Sequence, residues 1–360
     1  MSHLPRHSRS FALGAIASVM FAGAASAAAI ISNGTVALGV DDFGQLNVAG
    51  GPPSAHEGTT YVGLRHVPTK LEATSHGCLC EGWGVGIADA DKNRIASGSA
   101  NNAVGGVVNL SAVSFASTAS TATSVVELRD DADTTSLLRI THAFGPAAET
   151  SDLYRVNVTI ENISGAAIDD LRYTRTFDWD IEPDPFNEVV THAGVASTTT
   201  VLLAVDNGFV NSDPFAGGRT EQVADGTGDF VDLGPSDHGS NFDFGFGSLD
   251  AGDSFSFDIF YGATRTEAAA LAALGEVGAE LYSLGQPGCD PTGAGTGTGC
   301  TYGDNLATAT FIFGFAGVGG SIIIPDPTPG GVVPLPAAAW LLLTGIGALG
   351  AGGAIRRRKA

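Results

Sequence analysis

From Ile30 onward, apolar and polar positions alternate in short runs separated by Gly, Asn, Asp and Ser. In the clearest run, Tyr154, Val156, Val158 and Ile160 point one way, and Arg155, Asn157 and Thr159 the other. Successive strand side chains point to opposite faces, so this is the pattern of a half-buried strand. Leu171, Tyr173 and Phe177, set against Arg172, Thr174 and Thr176, predict the next strand. With a turn at 162–166, residues 157–180 read as an antiparallel pair. Phe242, Phe244 and Phe246 repeat the period, as do Phe255, Phe257, Ile259 and Tyr261. Aromatic residues at this spacing are expected in the core rather than on a ligand platform. Further strands are expected at 35–40, 61–65, 104–116, 124–129, 136–144, 200–205 and 307–315. Asn33-Gly34 and the run Asp130 to Asp133 mark turns between them. Residues 68–83 show no period and read as a surface loop fixed by its cysteines.

One segment departs from this pattern. Thr266 suits a helix cap and Glu267 its first turn. Leu271, Leu274, Val277 or Gly278, and Leu281 fall on one helical face, and Gly285 is placed to end it, predicting a helix over 266–283. The fold class is therefore mainly β: one large antiparallel β-sandwich with one packed α-helix. Two sandwiches divided between 195 and 235 are the alternative.

The last 28 residues, 333–360, have three parts in order. Val333, Pro334, Leu335, Pro336 and Ala337 form a proline-punctuated motif. Residues 337–355 are uncharged and apolar, and Arg356, Arg357, Arg358 and Lys359 follow. At roughly 1.5 Å per residue this run is long enough for a hydrocarbon core of about 30 Å. Trp340 suits one interface, and the basic end favours the cytoplasmic side. The tail resembles the PEP-CTERM family of bacterial sorting signals, in its VPLPA variant. The resemblance implies recognition at Val333 to Ala337 by an exosortase-type membrane protease. It also implies passage through the inner membrane and delivery to the surface or extracellular matrix of a Gram-negative bacterium that makes exopolysaccharide. A plain, uncleaved C-terminal anchor is the alternative.

Residues 1–27 read as a secretory signal: Arg6 and Arg9, an apolar core, then Ala25-Ser26-Ala27, with cleavage expected after Ala27. The expected organisation is a signal peptide (1–27), a β body (28–320), a linker (321–332) and the sorting tail (333–360) with its membrane helix at 337–355.

Charge adds to this picture. All 38 acidic residues but only 11 of the 17 basic ones fall between 28 and 336, a balance of −27. Such a field repels nucleic acid and anionic lipid and makes bound divalent cations plausible. Four cysteines in an exported chain are expected to be oxidised. Cys289–Cys300 would close a Gly/Thr-rich loop and Cys78–Cys80 a turn; cross-bridges between the two regions are the alternative.

The densest polar cluster is Asp178-Trp179-Asp180-Ile181-Glu182-Pro183-Asp184. Alternate carboxylates offer oxygen ligands to Ca²⁺, with Asp178, Asp180 and Asp184 as the expected set. The acidic group Asp225, Asp229, Asp232 and Asp237 reads as loop. No H-x-H, H-E-x-x-H or G-x-S-x-G motif is present, and Gly84-Val85-Gly86 lacks the strand–helix context of a phosphate site. For a carbohydrate-active role, Glu81, Trp83, Asp178, Trp179, Asp180 and Glu182 are the residues to test, since acids beside aromatics suit sugars. The leading expectation is a non-catalytic surface or matrix protein with a structural or adhesive role. The alternative is a carbohydrate-binding or carbohydrate-cleaving module associated with exopolysaccharide.

Overall fold

The computed structural model describes residues 28–102, 104–288 and 308–323. Ala27, Cys289, Cys300, the motif Val333 to Ala337 and the basic cluster Arg356 to Lys359 lie outside them, as does the expected membrane helix. Among the described residues, no helix is long and apolar enough to cross a membrane.

The described chain is mainly β, with antiparallel sheets and one helix. The largest sheet has nine strands. In spatial order they are Leu110–Ser117, Ala122–Arg129, Ser136–Pro146, Leu153–Asn162, Ser254–Thr264, Thr310–Ala316, Leu281–Pro287, Glu188–Ala193 and Phe230–Ser236. A six-stranded sheet runs Val201–Val205, Gly239–Leu249, Ile168–Asp178, Glu81–Ala88, Arg94–Asn101 and Gly106–Val108. Residues 28–72 add a four-stranded sheet and a two-stranded ribbon.

The period-two aromatics join the two large sheets. Phe177 of the six-stranded sheet meets Tyr261 and Phe313 of the other, with ring centroids at 5.6 and 4.9 Å. Tyr173 meets Phe257 at 5.0 Å, and Phe244 meets Phe315 at 5.0 Å. These pairs lie within the distances at which aromatic rings attract beyond simple burial. They belong to a continuous buried cluster running from Ile31 to Val318.

Leu153–Asn162 and Ile168–Asp178 do form, but they do not pair with each other. The first lies between Ser136–Pro146 and Ser254–Thr264; the second lies between Gly239–Leu249 and Glu81–Ala88. The turn carries the chain from one sheet to the other. The Asn162 side chain pins it there, donating to the carbonyls of Ala166 (2.8 Å) and Leu249 (3.0 Å). Alternation specifies that each strand has an apolar face, and that requirement is met equally well by two strands facing each other across a core.

The helix is shorter than its leucine spacing suggests. It spans Glu267–Glu276, capped by the Thr266 hydroxyl, which accepts from the Ala269 N–H at 3.2 Å. Gly278, at φ +67°, ends it. This left-handed conformation suits glycine and closes a helix. Leu281 and Gly285 then belong to the strand Leu281–Pro287, not to the helix. Ala270, Ala273 and Leu274 bury against Leu153, Phe260, Leu284 and Ile312, outside the aromatic core.

Residues 68–83 are only partly irregular: Leu71–Glu72 and the start of Glu81–Ala88 are strands. In the latter strand, Gly84 permits a close approach. A Cβ there would stand 2.0 Å from the Ser212 carbonyl oxygen. The glycine alternation thus docks the 211–215 loop on the sheet rather than a phosphate.

Candidate functional site

The end of Ile168–Asp178 runs beneath the cysteine turn. Alternate backbone N–H groups of Asp178, Asp180 and Glu182 donate to the carbonyls of Cys80 (3.0 Å), Ala73 (2.7 Å) and Glu72 (3.0 Å). This ladder holds the 72–80 segment in place. Trp179 turns into the core, its ring 4.5 Å from Phe177 and its Nε1–H donating to Ser283 Oγ at 3.1 Å. Asp178, Asp180 and Glu182 are nonetheless buried as well.

The three acids meet different fates. Glu182 is well supplied: it accepts from the Ser54 hydroxyl and from the backbone N–H groups of Glu57 (2.8 Å) and Glu72 (3.2 Å). His76 Nε2 stands 3.5 Å from it. Burial pushes the Glu182 carboxyl up, but His76 and these donors outweigh it and hold it below its ordinary value.

Asp178 and Asp180 lack such support. Neither oxygen of Asp180 has a hydrogen-bond partner, nor does Oδ1 of Asp178. Asp178 Oδ2 lies 3.3 Å from Cys78 Sγ. The sulfurs of Cys78 and Cys80 are at disulfide distance, and a disulfide sulfur has no proton to give. Burial, then the charges of Asp180, Asp237 and Glu188, push Asp178 well above the carboxylate range. Burial raises Asp180 to about 7, with His76 opposing and Asp237 and Glu72 adding to the rise.

Glu188, at the start of Glu188–Ala193, completes the group. Its Oε1 accepts from the N–H groups of Ile181 (3.1 Å) and Phe186 (2.6 Å), while Oε2 has no partner. Burial and then Asp180 push it up to about 9. Asp237, in the turn before Gly239–Leu249, has an unpartnered Oδ1 and is raised by burial, with His238 opposing.

Of the residues the sequence nominates for Ca²⁺, the structure brings Asp178 and Asp180 together and leaves Asp184 apart. Asp184 Oδ2 accepts from Asn187 at 2.6 Å, and its charge is not among those acting on Asp178, Asp180 or Glu188. Glu188 and Asp237 stand in its place. Glu188 carries no periodic signal, and Asp237 falls in the acidic stretch that reads as loop. Of the rest of that stretch, Asp225 and Asp229 are loop, with Asp229 accepting from the N–H groups of Val195 (2.7 Å) and Ala196 (3.1 Å), whereas Asp232 lies within the strand Phe230–Ser236. Among the described residues, the one trio of metal-ligating atoms within 4.8 Å of one another comes from Cys78, Cys80 and Asp178. The disulfide occupies both of its sulfurs.

Of the residues nominated for sugar chemistry, Asp178 and Asp180 are buried with unpartnered oxygens, and the others are committed to the core. Trp83 and Trp179 are both 0% exposed, so neither ring can stack on a glycan. Trp83 Nε1–H donates to the Phe43 carbonyl at 2.7 Å. Glu81 is ion-paired with Arg175 deep in the core and accepts from the Leu46 N–H at 2.7 Å. An open surface depression of about 550 Å³, lined in part by Ser32, Asn33, Pro146 and Glu149, shares no residue with the acidic centre.

No protein-family model matches the chain, and no curated protein matches it either.

Proposed function

We propose that this chain is an exported protein of the bacterial surface or extracellular matrix. An exosortase-type protease at the inner membrane delivers it through the tail, and its β-sandwich body is non-catalytic, with a structural or adhesive role among exopolysaccharide. The observation that carries this reading is the ordered motif, apolar span and basic cluster at 333–360, matched by a secretory signal at 1–27. Two features of the body support it. Cys78 and Cys80 at disulfide distance suit an oxidising compartment. Trp83 and Trp179, which a sugar-binding site would use, are buried in the core, and Glu81 is buried in an ion pair with Arg175.

The test is intact-mass measurement of the mature protein from a host with and without an exosortase-type protease, alongside cell fractionation. Loss of the residues after the motif, and appearance outside the inner membrane only when the protease is present, is the expected result. A mature chain that keeps Arg356 to Lys359 in both hosts excludes processing. Recovery from the cytosol with reduced thiols excludes export.

A further inference from the structure

We propose that the margin of the body formed by Gly106–Val108 and Leu110–Ser117 is a self-association surface, where a second copy of this chain adds its own Leu110–Ser117 antiparallel to the first. The two strands are consecutive, and each is the outermost strand of one large sheet. The chain passes between the sheets through Asn109 alone, in the left-handed region at φ +54°. The Asn109 side chain donates to the Ser97 carbonyl (3.0 Å) of the six-stranded sheet and to the Arg129 carbonyl (2.9 Å) of the nine-stranded sheet. The two edges are thereby held side by side. Leu110–Ser117 pairs on one side with Ala122–Arg129 and, among the described residues, with no strand on the other. Its outward N–H and C=O groups form half a ladder, the arrangement that recruits another strand. Ala112, Val113, Ser114, Ala116 and Ser117 are exposed. The Ser32 N–H reaches the Ala119 carbonyl (3.0 Å), which lies beyond the end of the strand.

The charge pattern selects the partner. Residues 95–126 contain no Asp, Glu, Lys, Arg or His, and no proline. This run supplies Gly106–Val108, Leu110–Ser117 and most of their neighbours Arg94–Asn101 and Ala122–Arg129. Elsewhere a body at −27 repels its own copies. At this margin a two-fold pairing sets no like charges opposite each other. Ile95, Val107, Val108 and Val113 stand exposed in the same stretch, and gathered apolar side chains of this kind mark interaction surfaces. The opposite edge of the nine-stranded sheet is guarded: Phe230–Ser236 carries Asp232 and Pro235, a charge and a residue without an N–H, both of which discourage pairing. Leu110–Ser117 has only a bulge, between Ala112 and Ser114. Beyond it Ser114 to Ser117 run in regular register with Ala122 to Val125, and this segment is the centre of the two-fold pairing. The inference concerns the body and holds whether or not the tail is a sorting signal.

The experiment is sedimentation velocity of the full chain in detergent over a range of protein concentrations, with amide hydrogen exchange read by mass spectrometry on the same samples. The expected result is a concentration-dependent dimer that tightens as added salt screens the charge outside the margin. Exchange at 110–117 should slow as the dimer forms. Ser114→Glu and Ala116→Glu, at exposed positions, extend the negative charge onto the margin and should each weaken dimerisation at least tenfold without lowering the melting temperature of the monomer. Val231→Glu, exposed on the guarded edge, should leave dimerisation unchanged. A wild-type chain that is monomeric at every concentration overturns the proposal, and this readout needs no variant to fold. Equal dimerisation in wild type, Ser114→Glu and Ala116→Glu overturns it as well and places the contact elsewhere, as pairing through the tail would. Slow exchange at 110–117 that does not vary with concentration means that another segment of the same chain covers the edge, and also overturns it.

Discussion

Two sets of carboxylates are equally buried in this molecule and are treated in opposite ways. Glu81 lies against Arg175 and accepts from the Leu46 N–H; Glu72 accepts from Arg65 Nε at 3.0 Å and from the N–H groups of Gly63 (3.1 Å) and Leu64 (2.9 Å). Each has an arginine and at least one backbone donor. Asp178, Asp180 and Glu188 have no arginine, and oxygens are left over on all three. Burial is therefore not what distinguishes a candidate site in this fold. The distinguishing feature is the number of carboxylate oxygens left without a donor, since a buried carboxylate held by an arginine and a backbone N–H is part of the framework.

The largest expected effect lies in the paired set. Arg175→Met strands Glu81 in the aromatic core, and loss of one partner of a buried pair costs about 3–5 kcal/mol. Urea denaturation should show it, and adding Glu81→Gln should recover part of the loss. A variant as stable as wild type would erase the contrast.

The next effect is the pH response of the same region. His142 is fully buried, its Nε2 3.1 Å from the Tyr173 hydroxyl. Burial, then the Arg175 charge, hold it well below 6.5. The unfolded chain thus binds a proton that the folded chain refuses. Stability from this residue is present above pH 6.5 and falls below it by about 1.4 kcal/mol per pH unit. His192, lowered to about 3 by burial and then His238, adds a slope of the same sign. Denaturation between pH 7 and 4.5 should show His142→Asn flattening the decline; an unaltered slope would remove His142 from the account.

Smaller again is the effect in the unpaired set. Asp180→Asn should raise stability by about 1 kcal/mol, because its amide can donate to neighbouring carboxylates that have no donor. A loss of stability instead would mean that Asp180 already has a partner. Asp225→Asn, being exposed, should stay within about 0.5 kcal/mol in thermal melts.

The strands were largely legible because period two is a local property. Tyr154 to Ile160 and Phe255 to Tyr261 alternate in sequence, and the two strands are indeed ladder partners in one sheet. Which strand pairs with which was less legible. Nothing local to residues 157–180 says that Asn162 will be held by the Ala166 and Leu249 carbonyls, yet those bonds take the next strand into the other sheet. The helix began where its cap predicts and ended early, because Gly278 competes with a leucine spacing that a strand also tolerates. At the acidic centre, Asp178 and Asp180 stand out as a contiguous motif. Glu188 and Asp237 are brought in by tertiary packing, and a search of nearby sequence finds Asp184 instead.

The crossing at Asn162 has a further consequence for how the chain acquires its structure. Asn157 of one strand waits for Asp258 of its ladder partner, and neither large sheet can be completed from one contiguous piece of chain. Partners so distant in sequence make folding slow. Thr310–Ala316, which lies between Ser254–Thr264 and Leu281–Pro287, is the last strand in sequence among the described residues, so the nine-stranded sheet cannot close until that segment is available.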